Sequence, residues 1–145
     1  MITIYVIQNV GFDITVRHPP LSDYVATGRV YVLARQLGWD YWIWGFEDLK
    51  DFESGDRDME ELEQGELWTL LVPKDEVIWC NLTALREGRT PVWSWFHPTP
   101  ELIRKTNDIP IAFIKAPIKS TWISKKGPAK EGLIKIGSPQ EKSTP

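Results

Sequence analysis

The chain has 145 residues, 42% of them hydrophobic and 26% charged, with one cysteine and a formal net charge of −3. That is the size of one ordinary domain, long enough to bury roughly two thirds of its unfolded surface and to hold a core without disulfide staples. The composition excludes global disorder, and no apolar run approaches the ~18 residues of a membrane-spanning helix.

The first expected element is a strand over Ile2–Gln8, a β-branched and aromatic run that puts Ile2, Ile4 and Val6 on one face. Asn9-Val10-Gly11 is a turn, Ile14–Val16 a short strand, and His18-Pro19-Pro20 an extended segment, because proline biases the residue before it away from helix. Ser22-Asp23 can cap a helix running to Leu37, with Gly38 as its stop, although Arg29–Ala34 also has strand character. Tyr41–Phe46 is a strand with aromatics on both faces, which predicts a central position. Leu49 and Phe52 fit one helical turn, and Asp56–Gln64 a short acidic helix ended by Gly65.

Glu66–Val72 and Glu76–Cys80 are strands around a Pro73 turn, and Leu82–Arg86 is a helical turn ended by Gly88. Pro91–Phe96 alternates as a strand, with Trp93 and Trp95 on one face. Thr99-Pro100 starts a short helix that ends near Asn107. Ile109–Lys115 and Ile118–Ile123 are two more strands, and Pro110 marks the first of them as an edge. From Ser124 the chain reads as a basic tail in which Leu133–Ile136 can form one short strand. The expectation is one α+β domain over 1–123, with a mostly antiparallel sheet of about five to seven strands and two to four short helices, followed by a basic tail over 124–145.

Charge is segregated along the chain. Residues 1–103 hold 8 Lys and Arg against 17 Asp and Glu, a net −9; residues 104–145 hold 9 against 3, a net +6. Ten carboxylates fall between Glu47 and Glu66. Such asymmetry points to an electrostatically steered partner or to two ends of the molecule that neutralise each other, and the plainer alternative is a solvated acidic helix plus a solubilising tail. Eight tryptophans are several times the usual share, and Trp is enriched at interfaces as well as in cores.

Chemistry-bearing motifs are scarce. The sequence lacks a phosphate-cradling glycine loop, HExxH, CxxC and GxSxG. Two histidines and one cysteine cannot complete a Cys/His zinc site, so no metal and no cofactor are expected. Cys80 and His97 each end a strand, and with His18 they are the candidates for a nucleophile and its base; a buried structural cysteine and two loop histidines are the plainer reading. Asn81-Leu82-Thr83 matches a glycosylation acceptor, which needs a secretory route. The N-terminus has no signal-peptide pattern, and a lone cysteine suits a reducing compartment, so a cytoplasmic location is expected.

Lys115, Lys119, Lys125, Lys126, Lys130 and Lys135, with Trp122 among them, offer phosphate contacts and a stacking ring, but the chain is acidic overall and the signatures of nucleic-acid readers are missing. Trp93 and Trp95, if exposed, would suit a sugar ring. Few Asn and Gln with eleven prolines is a thermophile-like composition. These readings converge on a non-enzymatic protein that binds and modulates, in the inhibitory sense, a larger protein or nucleoprotein machine, such as a phage or mobile-element factor acting on host transcription or defence. The expected partner contacts are Glu47, Asp48, Asp51, Asp56, Asp58, Glu60, Glu61, Trp93, Trp95, His97, Lys125, Lys126 and Lys130, with nucleic acid reachable through the tail. The alternative is a small enzyme with a pocket near His18, Cys80 and His97.

Overall fold

Alternating β-branched residues give the N-terminal segment two faces, and it forms strand β1 over Ile2–Gln8. The computed structural model describes residues 1–8, 37–39, 42–54, 63–87, 96–115 and 117–133. Beyond β1 these residues form strands β2 (Trp42–Gly45), β3 (Glu66–Val72), β4 (Val77–Asn81), β5 (Phe96–His97), β6 (Pro110–Lys115) and β7 (Ile123–Pro128). They also form helices α1 (Leu82–Glu87) and α2 (Pro100–Arg104), 3₁₀ turns at Leu49–Ser54, Lys74–Glu76 and Ser120–Trp122, and a helical segment over 129–133. The chain is an α+β fold with short helices, as expected. The seven strands of the described residues divide between two antiparallel sheets, of order β1-β3-β7 and β2-β6-β4-β5.

Two apolar clusters hold these layers. One combines Ile4, Val6, Trp68, Leu70 and Val72 of the first sheet with Ile43, Val77, Trp79, Ala112 and Ile114 of the second, so the sheets pack face to face. The other contains Trp42, Trp44, Cys80, Ile111 and Phe113, covered by Leu82, Ala84, Leu85, Phe52 and Leu133. The second sheet is therefore apolar on both faces, and the side chains of β2 carry tryptophan on one and Ile43 on the other.

Three expectations about position are corrected. The Tyr41–Phe46 strand is not central among the described residues: β2 pairs there with β6 alone within its sheet, and its two buried faces come from layers above and below it. Pro110 does not mark an edge: β6 lies between β2 and β4. Proline is tolerated there because it is the first residue of the strand, opposite Asn81, where its missing N–H interrupts no ladder interior. The strand expected at Ile118–Ile123 instead begins at Ile123, after the 3₁₀ turn Ser120–Trp122. β7 pairs with β3 from Glu66↔Pro128 to Leu70↔Ile123, with a bulge at the Thr69/Leu70 step. The boundary expected at Ser124 thus falls inside a strand.

Local signals hold elsewhere. Leu37 is helical and Gly38 follows at φ 72°, the left-handed conformation of a helix stop. Thr99 takes the extended cap conformation before Pro100, without a side-chain cap bond, and Asn107 reaches φ 58° in the turn after α2. The expected turn at Asn9–Gly11, the strand at Ile14–Val16, the helix from Ser22, most of the helix at Asp56–Gln64, and Pro91–Trp95 lie outside the described residues.

Candidate functional site

The lysines of the expected tail are built into the fold. β7 is the outer strand of its sheet and pairs with β3 alone among the described residues. Lys126 faces Trp68 across the ladder, and its ammonium sits 4.6 Å from the centre of that indole ring. The buried Trp68 ring is itself held by a 2.7 Å hydrogen bond from Nε1 to Glu66 Oε1. Lys125 projects to the other face, into a groove of about 320 Å³ lined by Tyr5, Leu49, Leu67, Thr69 and Glu131. Lys119 sits 5.8 Å from the Trp122 ring, and Lys130 is exposed just past the strand. Lys125, Lys126 and Lys130 are all exposed, and none forms an ion pair among the described residues.

The acidic segment behaves differently. Arg104 at the end of α2 donates from Nε to Glu47 Oε1 at 2.8 Å and from Nη2 to Asp51 Oδ2 at 2.9 Å. Asp51 is buried, and burial raises its carboxyl pKa above the usual 3.8 despite the opposing pull of Arg104. Burial alone would lower the Arg104 pKa, but its bonds to Asp51 and Glu47 raise it on balance. Asp48 is exposed and its Oδ1 accepts from the Lys50 amide at 3.0 Å. Two of the expected acidic contacts, Glu47 and the buried Asp51, are thus paired with a cation of the same chain. Asp56, Asp58, Glu60, Glu61, Trp93 and Trp95 lie outside the described residues.

Cys80 and His97 occupy adjacent strands, but they do not meet. Trp79 lies opposite His97, and Cys80 opposite Phe96. Directly opposed residues share a face and successive residues do not, so the thiol and the imidazole point to opposite sides of the sheet. Cys80 is fully buried in an apolar cluster, which pushes its thiol pKa up to about 12. It is not activated as a thiolate nucleophile. His18 lies outside the described residues.

His97 instead borders a polar cleft of about 520 Å³ with Asn81, Thr83, Thr106, Asn107 and Asp108. Asn81 precedes α1, and its Oδ1 caps the helix by accepting from the Ala84 amide at 2.9 Å. Asp108 Oδ1 accepts from the Thr83 amide and hydroxyl, at 3.2 and 2.8 Å, and from the Ile109 amide at 2.7 Å. Sequence reasoning named His97 as a candidate base and partner contact, and Asn81-Leu82-Thr83 as a glycosylation acceptor, but did not bring them together with Asp108 as one group. The available signal was Asn81 before a helix, a cap pattern, but nothing local links it to Asp108. Among the described residues, no group of three His, Cys, Asp or Glu side chains is arranged to hold a metal ion, and no helix is long and apolar enough to cross a membrane.

Comparison of the chain with protein-family models, with curated proteins and with solved structures finds no match.

Proposed function

We propose that this protein acts by binding, and that the β7 edge docks on an acidic surface of a larger protein or nucleoprotein machine, whose activity it modulates. The observation that carries this reading is the contrast between the two charged regions: Glu47 and Asp51 are satisfied by Arg104, whereas Lys125, Lys126 and Lys130 stand exposed without a carboxylate among the described residues. Lys126 is also pre-positioned on an indole ring, which lowers the cost of ordering it in a complex. Among the described residues β7, which carries Lys125 and Lys126, pairs with β3 alone, so the backbone groups of its other side can pair with a partner strand, the mode of β-augmentation. Inhibition of host transcription or defence machinery by a phage or mobile element is a setting that such a domain would suit.

Lysines on an edge strand also guard against aggregation, and one experiment separates the two roles. Capture from host lysate is compared for the full chain and for K125E/K126E/K130E, at low and high salt. Binding predicts a stoichiometric partner that salt weakens and that the triple variant loses while it stays folded. A guard role predicts a triple variant that captures the same proteins as the parent, or no partner for either. Truncation at Ser124 is unsuitable, because it removes β7 from the sheet.

A further inference from the structure

We infer that the cleft between α1, β5 and the turn after α2 binds a small uncharged polyhydroxylated ligand, a sugar or related polyol. This site is separate from the lysine edge and does not rest on it. Its volume of about 520 Å³ lies in the range of small-molecule pockets. Apart from one alanine the lining is polar: Asn81, Thr83, His97, Thr106, Asn107 and Asp108.

The argument turns on hydrogen-bonding capacity that the fold leaves unused. Asn81 is only 7% exposed. Its Oδ1 accepts from the Ala84 amide, which settles the orientation of the carboxamide and leaves the NH₂ group over. Among the described residues that NH₂ has no partner, and Asn81 lines the cleft. That nitrogen is open to the cleft, so a ligand acceptor can take the place of the water it would otherwise bond. Asp108 spends Oδ1 on three donors, and its Oδ2 has no partner among the described residues. The two side chains bond to the adjacent amides of Ala84 and Thr83, so they converge on one spot. Both residues line the cleft, to which they bring one unused donor and one unused acceptor.

A hydroxyl accepts and donates through the same oxygen, so it is the smallest group that can serve both. Further hydroxyls would reach the half-buried His97 ring, which has no hydrogen-bond partner among the described residues, and the exposed Asn107. An anion would meet the Asp108 carboxylate with no lysine or arginine in the lining, and an apolar ligand would leave the Asn81 amide unsatisfied.

The test is amide NMR of the full chain titrated separately with D-glucose, D-galactose, D-mannose, D-ribose and glycerol. At least one probe is expected to shift resonances confined to residues 81–84, 97 and 106–109. Asn81→Asp keeps an oxygen on the Ala84 amide but replaces the donor with an acceptor in the cleft that Asp108 also lines, and it should weaken that probe at least about tenfold. His97→Ala removes a ring that bonds to no described residue, and should weaken it severalfold with the fold intact; it decides the matter if Asn81→Asp does not fold. Absence of shifts with every probe means that the cleft holds only water and overturns the inference. So do shifts that persist at parent affinity in the folded variants.

Discussion

The amides of Tyr5 and Phe46 each donate to the other's carbonyl, at 2.8 and 3.0 Å, and this pair ties the three-stranded sheet to the end of the four-stranded one. The approach is close enough that a Cβ on the neighbouring Gly45 would collide with the Tyr5 carbonyl oxygen and touch Val6. Gly45→Ala should therefore cost about 2–3 kcal/mol in urea unfolding, since a backbone atom cannot give way. Gly132→Ala is the control: its Cβ meets the mobile end of Leu67, and the loss should stay below about 1 kcal/mol. Equal losses would mean that the bridge does not constrain Gly45.

Arg104 spans 53 residues to neutralise Asp51. Arg104→Met should destabilise the fold by about 1–2 kcal/mol, less than for a fully buried pair because the guanidinium is partly solvated. Thermal or urea unfolding at neutral pH checks this.

The same carboxylate predicts a pH effect. Burial raises the Asp51 pKa above 3.8, so the folded chain holds this proton more tightly than the unfolded chain. Stability from this group then falls as pH rises through the window just above 3.8. The parent should gain on Asp51→Asn as pH is lowered through that window. Parallel stability–pH curves for the two would exclude it.

Cys80 should not react with iodoacetamide in the folded protein at mildly alkaline pH, because it is buried and its thiol titrates at about 12. Labelling should reach completion only in denaturant. Rapid labelling of the native chain, followed by mass spectrometry, would contradict the packing of β4.

Trp68 joins Glu66 and Lys126 into one unit. Trp68→Phe should cost about 1–2 kcal/mol through the lost hydrogen bond and the smaller ring. Lys126→Ala should cost about 0.5 kcal/mol. A double-mutant cycle should show coupling between them, and additive losses would remove the ring–ammonium contact from the account.

Much of the fold was legible because its cues are local. β1, β3, β4 and β6 are rich in β-branched and aromatic residues, and Pro73, Gly38 and Pro100 mark turns, stops and starts where the structure has them. β7 was missed because Ser124-Lys125-Lys126-Gly127 has little strand preference of its own and is recruited by the free edge of β3. Centrality was misread for a related reason. Aromatics on both faces of Tyr41–Phe46 predict an inner strand, whereas layers on both sides of a strand that pairs only with β6 in its sheet, among the described residues, give the same pattern.

The candidate sites divide the same way. That Cys80 is apolar-buried and that Lys125 and Lys126 are exposed could be anticipated from residue type. The partners of the charges could not. Side-chain alternation and turn chemistry act over a few residues, so the amino-acid sequence by itself determined the α+β class, most strand positions and the absence of familiar catalytic motifs. Strand order depends on the apolar area that distant segments bury together. For that reason only the tertiary structure decided that Cys80 and His97 face apart, that Arg104 silences Asp51, and that Asn81 and Asp108 meet at one cleft.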